Sequence, residues 1–302
     1  DGSWKINSYS GFALGFPANG VVVSGSSLLA IDNTTSDTIF LSNDSGANWS
    51  SVTLNSGGTA PVSIAACGQK IYVAYGGGAS VSVLTSTNGG SSFSAPVVAY
   101  TGTAAVGPTL RCYDNRAFLS VFDSGSPHFL YSDGGATWTA ASGFTPSAGT
   151  AFTAGPGRVV AVNTGGTPGN VFLSTDFGVS FSQQDSFASS PFGSGIGFVP
   201  GGSAFTPGLY VAGSTIASSM CEIRTSSTGA LGSWSYYSDS LCNMPSDPLN
   251  AVGGSAPVLF IGGDISLAQI NLYRSTNSGA SWVKETLPAG ATSVRSIVTL
   301  EK

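Results

Sequence analysis

Charged residues are scarce in this sequence. Its 302 residues include only 10 Lys plus Arg and 15 Asp plus Glu, a charged share of 8%, against about a quarter in an average protein. The formal net charge is −5, and so few basic residues exclude the positive surface that nucleic acids and anionic membranes attract. No apolar run reaches the roughly 18 to 20 residues of a membrane-spanning helix. We therefore expect no nucleic-acid partner and no membrane insertion.

Metal-ligand patterns and helical periodicity are also missing. The single His and the lack of a Cys-x-x-Cys spacing predict neither a metal site nor a cofactor. Apolar residues alternate with polar ones and show no period of 3.6, which predicts short strands and few helices. Hydrophobic residues still make up 41% of the chain, beside 42 glycines. That share is enough for a large core and excludes a disordered chain.

A turn motif recurs along the chain. Leu41–Trp49 reads LSNDSGANW and Arg274–Trp282 reads RSTNSGASW, and the same pattern occupies 85–93, 173–181 and, with one residue fewer before the Asp, 131–138. A degenerate copy occupies 225–234 and has Thr in place of the Asp or Asn that anchors the others. The five anchors are Asp44, Asn88, Asp133, Asp176 and Asn277. With Thr228 included, successive anchors are 44, 45, 43, about 52 and 49 residues apart, which indicates a repeat architecture.

Each residue type in the motif has a structural explanation. The Asp or Asn side chain accepts hydrogen bonds from amides of its own turn, and the Gly two residues later supplies a positive φ. The aromatic residue five positions after the anchor is expected to begin the next strand and to bury a large apolar surface. We therefore interpret the five anchors as structural turn residues rather than catalytic or metal-binding groups.

Each repeat divides into four strands. In the second repeat they are predicted at 62–66, 70–75, 80–86 and 92–98, and in the fourth at 150–154, 158–163, 170–174 and 180–184. Four strands in each period of about 40 to 50 residues are typical of a β-propeller blade. Since one blade cannot bury both of its faces, the blades must stack around an axis. We predict a single propeller domain over residues 1–302.

The turns resemble the Asp-box, or BNR, repeat of sialidases and of many non-catalytic propellers, and the resemblance covers about Val21 to Leu287. It implies an all-β, six-bladed β-propeller with four-stranded antiparallel blades. Segment 2–6 resembles the last strand of a blade and segment 293–300 a first strand, so the termini are expected to supply strands to a shared closure that hides sheet edges. Seven blades are the alternative, although they need two strands that the sequence does not offer.

Four cysteines indicate an oxidising compartment, because their number is even. Cys67 and Cys112 each precede a turn anchor by 21 residues, which places both at the end of the innermost strand of neighbouring blades. Cys221 and Cys242 belong to the fifth repeat. Of the three connectivities that four cysteines allow, we predict Cys67–Cys112, which would staple two blades, and Cys221–Cys242, which would close a loop of about 20 residues.

The turns between the second and third strands of each blade lie on the face opposite the Asp-box turns, and the resemblance implies that ligands bind there. Asp32, Asp123 and Asp264 begin such turns. Two carboxylates about 5 to 10 Å apart would serve a glycoside hydrolase, so these aspartates are weak catalytic candidates, with turn formation as the alternative role. The candidates for ligand binding on this face are Tyr100, His128, Phe187, Phe192 and Arg295.

The three aromatic candidates lie in links between blades, where no strand pattern buries them, and plugging a gap between blades is their alternative role. His128 would tune one of the aspartates, or else begins a strand at the surface.

A sialidase needs three arginines that grip the substrate carboxylate, a Tyr–Glu nucleophile pair and an Asp acid. The sequence has no Arg before Arg111, so the arginine that the family carries in its first blade is missing. Arg295 is the only arginine expected near the mouth of the central channel that blades stacked around an axis would enclose. The other arginines are expected beside Asp-box turns or on third strands towards the rim: Arg111, Arg116, Arg158, Arg224 and Arg274. We predict that the chain is not a sialidase.

Three functions stay open from the sequence. The first is a secreted or cell-surface module that binds a glycan or a protein partner, favoured by a neutral face rich in Gly, Ser, Asn and Thr. The second is a glycoside hydrolase acting on neutral sugars through an Asp pair on the channel face. The third is a structural component of an extracellular assembly, since a low charge allows self-association.

Overall fold

The computed structural model describes residues 20–32, 37–57, 60–145, 150–163, 169–187, 192–201, 208–216, 220–239, 249–263, 272–287, 294 and 297–298. These residues form β-strands and turns. Within these ranges, none of the secondary structure is a helix of the length and apolarity that a bilayer crossing demands. The described residues fall into two compact units, one that ends at Phe144 and one that begins at Thr145.

The first unit contains two antiparallel sheets. Strands β1 to β4 form one four-stranded sheet in sequence order, and β5 to β10 form a six-stranded sheet, also in sequence order. The strands are β1 (Val21–Ser24), β2 (Ser27–Ile31), β3 (Thr38–Ser42), β4 (Ser50–Thr53), β5 (Pro61–Cys67), β6 (Lys70–Ser86), β7 (Val97–Tyr113), β8 (Arg116–Asp123), β9 (Ser126–Ser132) and β10 (Thr139–Ala140).

The second unit contains three four-stranded antiparallel sheets, and each of them follows sequence order. Their strands are β11 (Thr150–Gly155), β12 (Arg158–Asn163), β13 (Gly169–Ser174), β14 (Ser182–Phe187), β15 (Phe192–Val199), β16 (Leu209–Ile216), β17 (Met220–Ser226), β18 (Ser235–Asp239), β19 (Leu249–Ser255), β20 (Val258–Gly263), β21 (Leu272–Ser275) and β22 (Val283–Lys284).

The long strand β6 folds back on itself. Gly76 has φ +96°, and a Cβ built on it would lie 2.8 Å from the carbonyl oxygen of Ser80. In an extended strand, positions four residues apart are separated by about 13 Å. The first part of β6 pairs with β5, from Lys70 to Tyr75, and the later part pairs with β7, from Ser80 to Val83. β6 therefore holds the two strands that the sequence predicts at 70–75 and 80–86.

The apolar cores lie between consecutive sheets. In the first unit, Leu29 and Ile31 of β2 pack with Ile64 of β5 and Ile71 of β6. In the second unit, one cluster joins β12 and β13 to β15 and β16, and another joins the sheet β15–β18 to the sheet β19–β22. Every sheet in these clusters thus buries apolar side chains against its neighbour, as the prediction that a single sheet cannot bury its own faces requires.

The predicted strands of the fourth repeat agree with β11 to β14 to within three residues at each end. Two details differ from the prediction. In the second repeat, residues 93–96 are not strand, and the outer strand begins only at Val97. The aromatic residue of the motif also stands before its strand rather than in it, as with Trp49 before β4 and Trp282 before β22. The physical reason is that the indole closes the turn, because Nε1 of each Trp donates to the carbonyl of the Gly three residues earlier, at 3.1 Å.

A buried serine at the end of the third strand organises each turn. In the first copy, Ser42 is 1% exposed, its hydroxyl donates to Asp44 Oδ1 at 2.8 Å, and it accepts from the Gly46 amide at 2.8 Å. Asp44 in turn accepts from the Asn48 amide. Sequence reasoning did not assign this serine a role, although it is present in every aligned copy. The other members are Ser86, Ser132, Ser174, Ser226 and Ser275, each at most 3% exposed.

We expect Ser42→Ala to lower the free energy of unfolding by about 1 to 3 kcal/mol, because the partly buried Gly46 amide would lose its acceptor. Chemical denaturation measures this change. Ser51→Ala on the exposed strand β4 is the control and should change stability by less than about 0.5 kcal/mol. Equal stabilities of the two variants would contradict the role of Ser42.

Four of the turn glycines pack on the preceding repeat. Their φ values lie between +72° and +90°, and a Cβ on each would also collide with a side chain of that repeat. The distances from such a Cβ are 2.2 Å from Gly90 to Leu29, 2.3 Å from Gly135 to Thr85, 2.4 Å from Gly229 to Val160 and 2.6 Å from Gly279 to Thr225. These turns therefore need Gly both for the backbone conformation and for close packing between repeats.

A disulfide joins Cys67 at the end of β5 to Cys112 in β7, with a Cα–Cα distance of 5.6 Å. The two cysteines lie where the sequence predicts equivalent inner strands of neighbouring repeats. Leu110 supports the same adjacency, because its amide donates to the Ser63 hydroxyl of β5 at 2.9 Å. Cys242 lies outside the described residues, so the Cys221–Cys242 pairing stays a prediction.

Candidate functional site

Three of the predicted site residues come together at one end of the sheet β5–β10. Asp123 ends β8, and His128 lies on β9 just beyond the hairpin turn at Ser124 and Gly125. Tyr100 lies on β7, and its hydroxyl donates to Asp123 Oδ2 at 2.9 Å. The ring centroids of Tyr100 and His128 are 4.9 Å apart at a tilt of 39°. Carboxylate, phenol and imidazole thus form a single cluster, which we call the Asp123 cluster.

The Asp123 carboxylate is saturated with hydrogen bonds. Beside Tyr100, it accepts from the amides of Ala104 at 2.7 Å and of Thr103 at 3.1 Å. The hydroxyls of Thr103 and Ser124 also donate to it, at 3.3 and 3.1 Å. Both carboxylate oxygens therefore accept hydrogen bonds from the protein, and the residue is only 7% exposed to solvent. Through these bonds, Asp123 links residues 100–104 of β7 to the hairpin formed by β8 and β9.

These bonds hold the pKa of Asp123 well below its usual range, and the amide of Ala104 is the largest cause. Burial opposes this effect, but the Tyr100, Thr103 and Ser124 donors outweigh it. For Tyr100, burial first and the bond to Asp123 second raise the pKa to about 12. Asp123 is therefore an anion and Tyr100 a neutral phenol at physiological pH. A permanently ionised, saturated carboxylate is unsuited to general acid catalysis.

The rim of the cluster is polar and accessible. Thr103 and Ser124 are exposed, and their hydroxyl oxygens are 2.6 Å apart. Tyr100 and His128 are half-buried. Sequence reasoning missed Thr103 and Ser124. Ser124 directly follows Asp123 in the predicted turn, which is a signal that could have found it, whereas Thr103 lies 20 residues from Asp123 within β7 and carries no such signal. The prediction that Tyr100 lies exposed in a link between blades needs correction, because the residue lies in strand β7, paired with Val81, and its hydroxyl points inward to the carboxylate.

Gly102 makes the cluster sterically feasible. A Cβ on this residue would lie 2.0 Å from Asp123 Oδ2 and 2.6 Å from Tyr100 Cε1. Any side chain here would displace the carboxylate or the phenol.

Asp32 is a further predicted site residue whose side chain the structure describes. Asp32 follows β2 and is fully buried at 0% exposure, so it lacks the access to substrate that a catalytic acid requires. Phe187 and Phe192 lie in β14 and β15, with side chains outside the described part of the protein. Asp264 and Arg295 are also outside the described residues.

The arginines that can be located take part in contacts within the protein. Arg116 forms an ion pair with Asp133, with N–O distances of 2.5 and 3.0 Å, and Arg158 donates to the carbonyl of Thr228 at 2.8 Å. Arg274 pairs with Glu285. Arg111 donates to the Leu110 carbonyl, and burial lowers its pKa to about 10. Among the described residues, no three His, Cys, Asp or Glu side chains are close enough to hold a metal ion.

The Asp123 cluster predicts a specific pH dependence of stability. The folded state raises the pKa of Tyr100 from 10 to about 12, so its contribution is complete below pH 10 and is lost as pH rises towards 12. The lowered pKa of Asp123 gives a contribution that is complete above about pH 4 and is lost on acidification. The measurement is the urea midpoint of unfolding as a function of pH. We expect Tyr100→Phe to reduce the fall of this midpoint at alkaline pH, and Asp123→Asn to reduce its fall at acid pH. An unchanged fall in either variant would contradict these assignments.

No family model and no curated protein matches the chain. Solved structures do match it in fold. YCF48 bound to D1 peptide has a TM-score of 0.59 at 15% identity, over 94% of this chain and 86% of that one. SapL1 lectin in complex with alpha methyl fucoside has 0.56 at 14% identity, over 92% and 97%.

A mutant Trypanosoma rangeli sialidase that displays trans-sialidase activity has a TM-score of 0.56 at 13% identity, over 86% of this chain and 53% of that one. The chain therefore spans about half the length of that sialidase. At these identities the likeness concerns fold alone. The chain is an all-β protein built from antiparallel sheets, and its structural neighbours are β-propellers of the sialidase-like kind.

Proposed function

We propose that the protein is a secreted or cell-surface binding module that recognises a neutral glycan or a protein partner through the Asp123 cluster. The observation that carries the proposal is the accessible polar rim of the cluster. Its aromatic rings and hydroxyl groups are held in place by the hydrogen-bonded carboxylate of Asp123. Such a rim loses little conformational freedom on binding, which favours affinity. Tyr and His present apolar faces with polar tips, and Thr103 and Ser124 supply hydroxyls beside them.

The charge pattern supports a binder rather than a sialidase. Four of the described arginines, Arg111, Arg116, Arg158 and Arg274, already bond to carbonyls or carboxylates of the protein. Binding the carboxylate of an anionic sugar needs several arginines that converge on one site. For a neutral-sugar hydrolase, Asp32 is fully buried and Asp123 is saturated, which argues against this pair as acid and nucleophile.

We further propose the Asp-box assignment and a single domain of six blades. The four-stranded sheets β1–β4, β11–β14, β15–β18 and β19–β22 support four of these blades, and the fold-back in β6 supports a division of β5–β10 into two. The Cys67–Cys112 disulfide supports secretion, because disulfides persist in oxidising compartments.

A binding screen tests the proposal. The protein is applied to arrays of neutral glycans and of capped peptides, and the affinity for each hit is measured for His128→Ala and for the control Ser51→Ala. We expect His128→Ala to weaken binding at least tenfold and Ser51→Ala to leave it unchanged. Release of the aglycone from neutral aryl-glycosides, abolished by Asp123→Asn, would replace the binder by a hydrolase. Failure of both arrays to yield a hit would refute the proposal.

A further inference from the structure

The third copy of the turn motif departs from the others. Ser132 directly precedes Asp133, whereas the serine and the anchor are separated by one residue in the other good copies. In those copies the anchor accepts from the amide four residues later, as in Ser92 to Asn88 and Ser281 to Asn277. Asp133 instead forms the ion pair with Arg116. A local departure of this kind from a repeated rule is typical of a functional position.

Two buried donors next to this turn make no hydrogen bond within the described residues. They are Trp138 Nε1 and the Tyr72 hydroxyl. In two other copies, at Trp49 and Trp282, the indole bonds to a carbonyl three residues earlier, and the shortened turn does not reproduce that bond. Tyr72 is 0% exposed and lies beneath Gly135, with its Cε1 3.0 Å from where a Cβ would be. Buried donors of this kind are typically completed by ordered water.

A groove of about 540 Å³ opens beside the same turn. Gly134, Gly135 and Ala136 line it together with residues 92–95 and Val97. Its size falls within the range of roughly 300 to 1,000 Å³ for small-molecule sites. The groove is at the Asp133 end of β8 and β9, and the Asp123 cluster is at their other end. Seven residue steps of strand separate these ends, about 23 Å.

The lining of the groove indicates the class of ligand. It contains the Phe93 ring and the hydroxyls of Thr85, Thr87, Ser92 and Ser94, with no charged residue among those that line it. Ser92 accepts from Asn88 Nδ2 at 2.8 Å, so its own proton can be donated to a ligand. An added peptide strand would need unpaired backbone groups on Thr85. These groups are already bonded to Ser94, at 2.8 and 3.2 Å.

We propose that this groove binds a neutral saccharide, with Phe93 against one face of the sugar ring and the Ser92 and Thr87 hydroxyls bonded to its hydroxyl groups. The site is separate from the Asp123 cluster and does not depend on it. It would give the first unit alone two places for ligands, at opposite ends of the same strands.

Gly134 provides a sharp test. It lines the groove, and a Cβ built on it meets no atom within 4 Å. Gly134→Leu should therefore fill the groove without disturbing the fold. Saturation-transfer NMR and titration are carried out with the methyl glycosides of glucose, galactose, mannose and fucose, and with an acetylated, amidated tetra-alanine peptide as the competing ligand class.

We expect at least one methyl glycoside to bind at millimolar concentration, and both Gly134→Leu and Phe93→Ala to weaken that binding at least tenfold. Ser51→Ala, on the exposed strand β4, should leave it unchanged, and because Gly134 and Phe93 lie outside the Asp123 cluster, their effect assigns the binding to the groove. The unfolding midpoint of each variant establishes that it is folded. Binding of none of the four glycosides, full binding by folded Gly134→Leu, or binding of the peptide alone would each overturn the proposal.

Discussion

Replacing both Cys67 and Cys112 by Ser should lower the free energy of unfolding by about 4 kcal/mol. The disulfide spans 45 residues, and the chain-entropy description of a closed loop of this length gives that value. The loss arises in the unfolded chain, which gains conformations once the link between β5 and β7 is removed. Equilibrium denaturation of the wild type and the double variant measures the difference.

A reductant provides the control for this prediction. Treatment of the wild type should bring its stability close to that of the double variant, whereas the double variant should respond only through the other two cysteines. Coincident unfolding curves of the untreated wild type and the double variant would show that the disulfide contributes nothing.

Gly135→Ala should lower the free energy of unfolding by about 3 kcal/mol. The residue has φ +85°, and an added Cβ would lie 2.3 Å from Thr85 Oγ1. The left-handed conformation costs a residue with a side chain about 1 to 2 kcal/mol, and overpacking adds about 1 to 3 kcal/mol. Thermal and urea denaturation both report the loss.

The neighbouring residue supplies a matched control. Gly134 is exposed, its φ is not in the positive range, and a Cβ would meet no atom within 4 Å. Gly134→Ala should therefore change stability by less than about 0.5 kcal/mol. If the two alanine variants were equally stable, the close packing of Gly135 against Thr85 of the preceding repeat would be refuted.

Local rules account for what the sequence could predict of the fold. The alternation of apolar residues and the positions of Asp and Gly predict a hairpin around each anchor, and the bounds of β11 to β14 follow closely. The equal spacing of Cys67 and Cys112 from their anchors also predicts their adjacency. These features depend on residues a few positions apart, or on one repeat distance, both of which a single sequence displays.

The candidate site was only partly predictable, because its contacts join distant positions. Asp123 was identified as a turn residue and as a weak catalytic candidate, but the bond from Tyr100 spans 23 residues. No local pattern records that bond. The same holds for Asp32, whose complete burial depends on how neighbouring sheets pack. The role of Ser42 and its equivalents was visible in the aligned motif, yet it needed the geometry of the Gly46 amide to be understood.

The contacts that four turn glycines make with the preceding repeat have a consequence for how this chain can change by duplication. Each contact joins two repeats, because one repeat contributes the glycine and the preceding repeat contributes the side chain that packs against it. These side chains differ, with Leu29, Thr85, Val160 and Thr225 meeting their glycines. A copied repeat inserted elsewhere would thus meet a foreign surface at both of its borders. The repeats therefore share one strand arrangement, but one repeat cannot simply replace another.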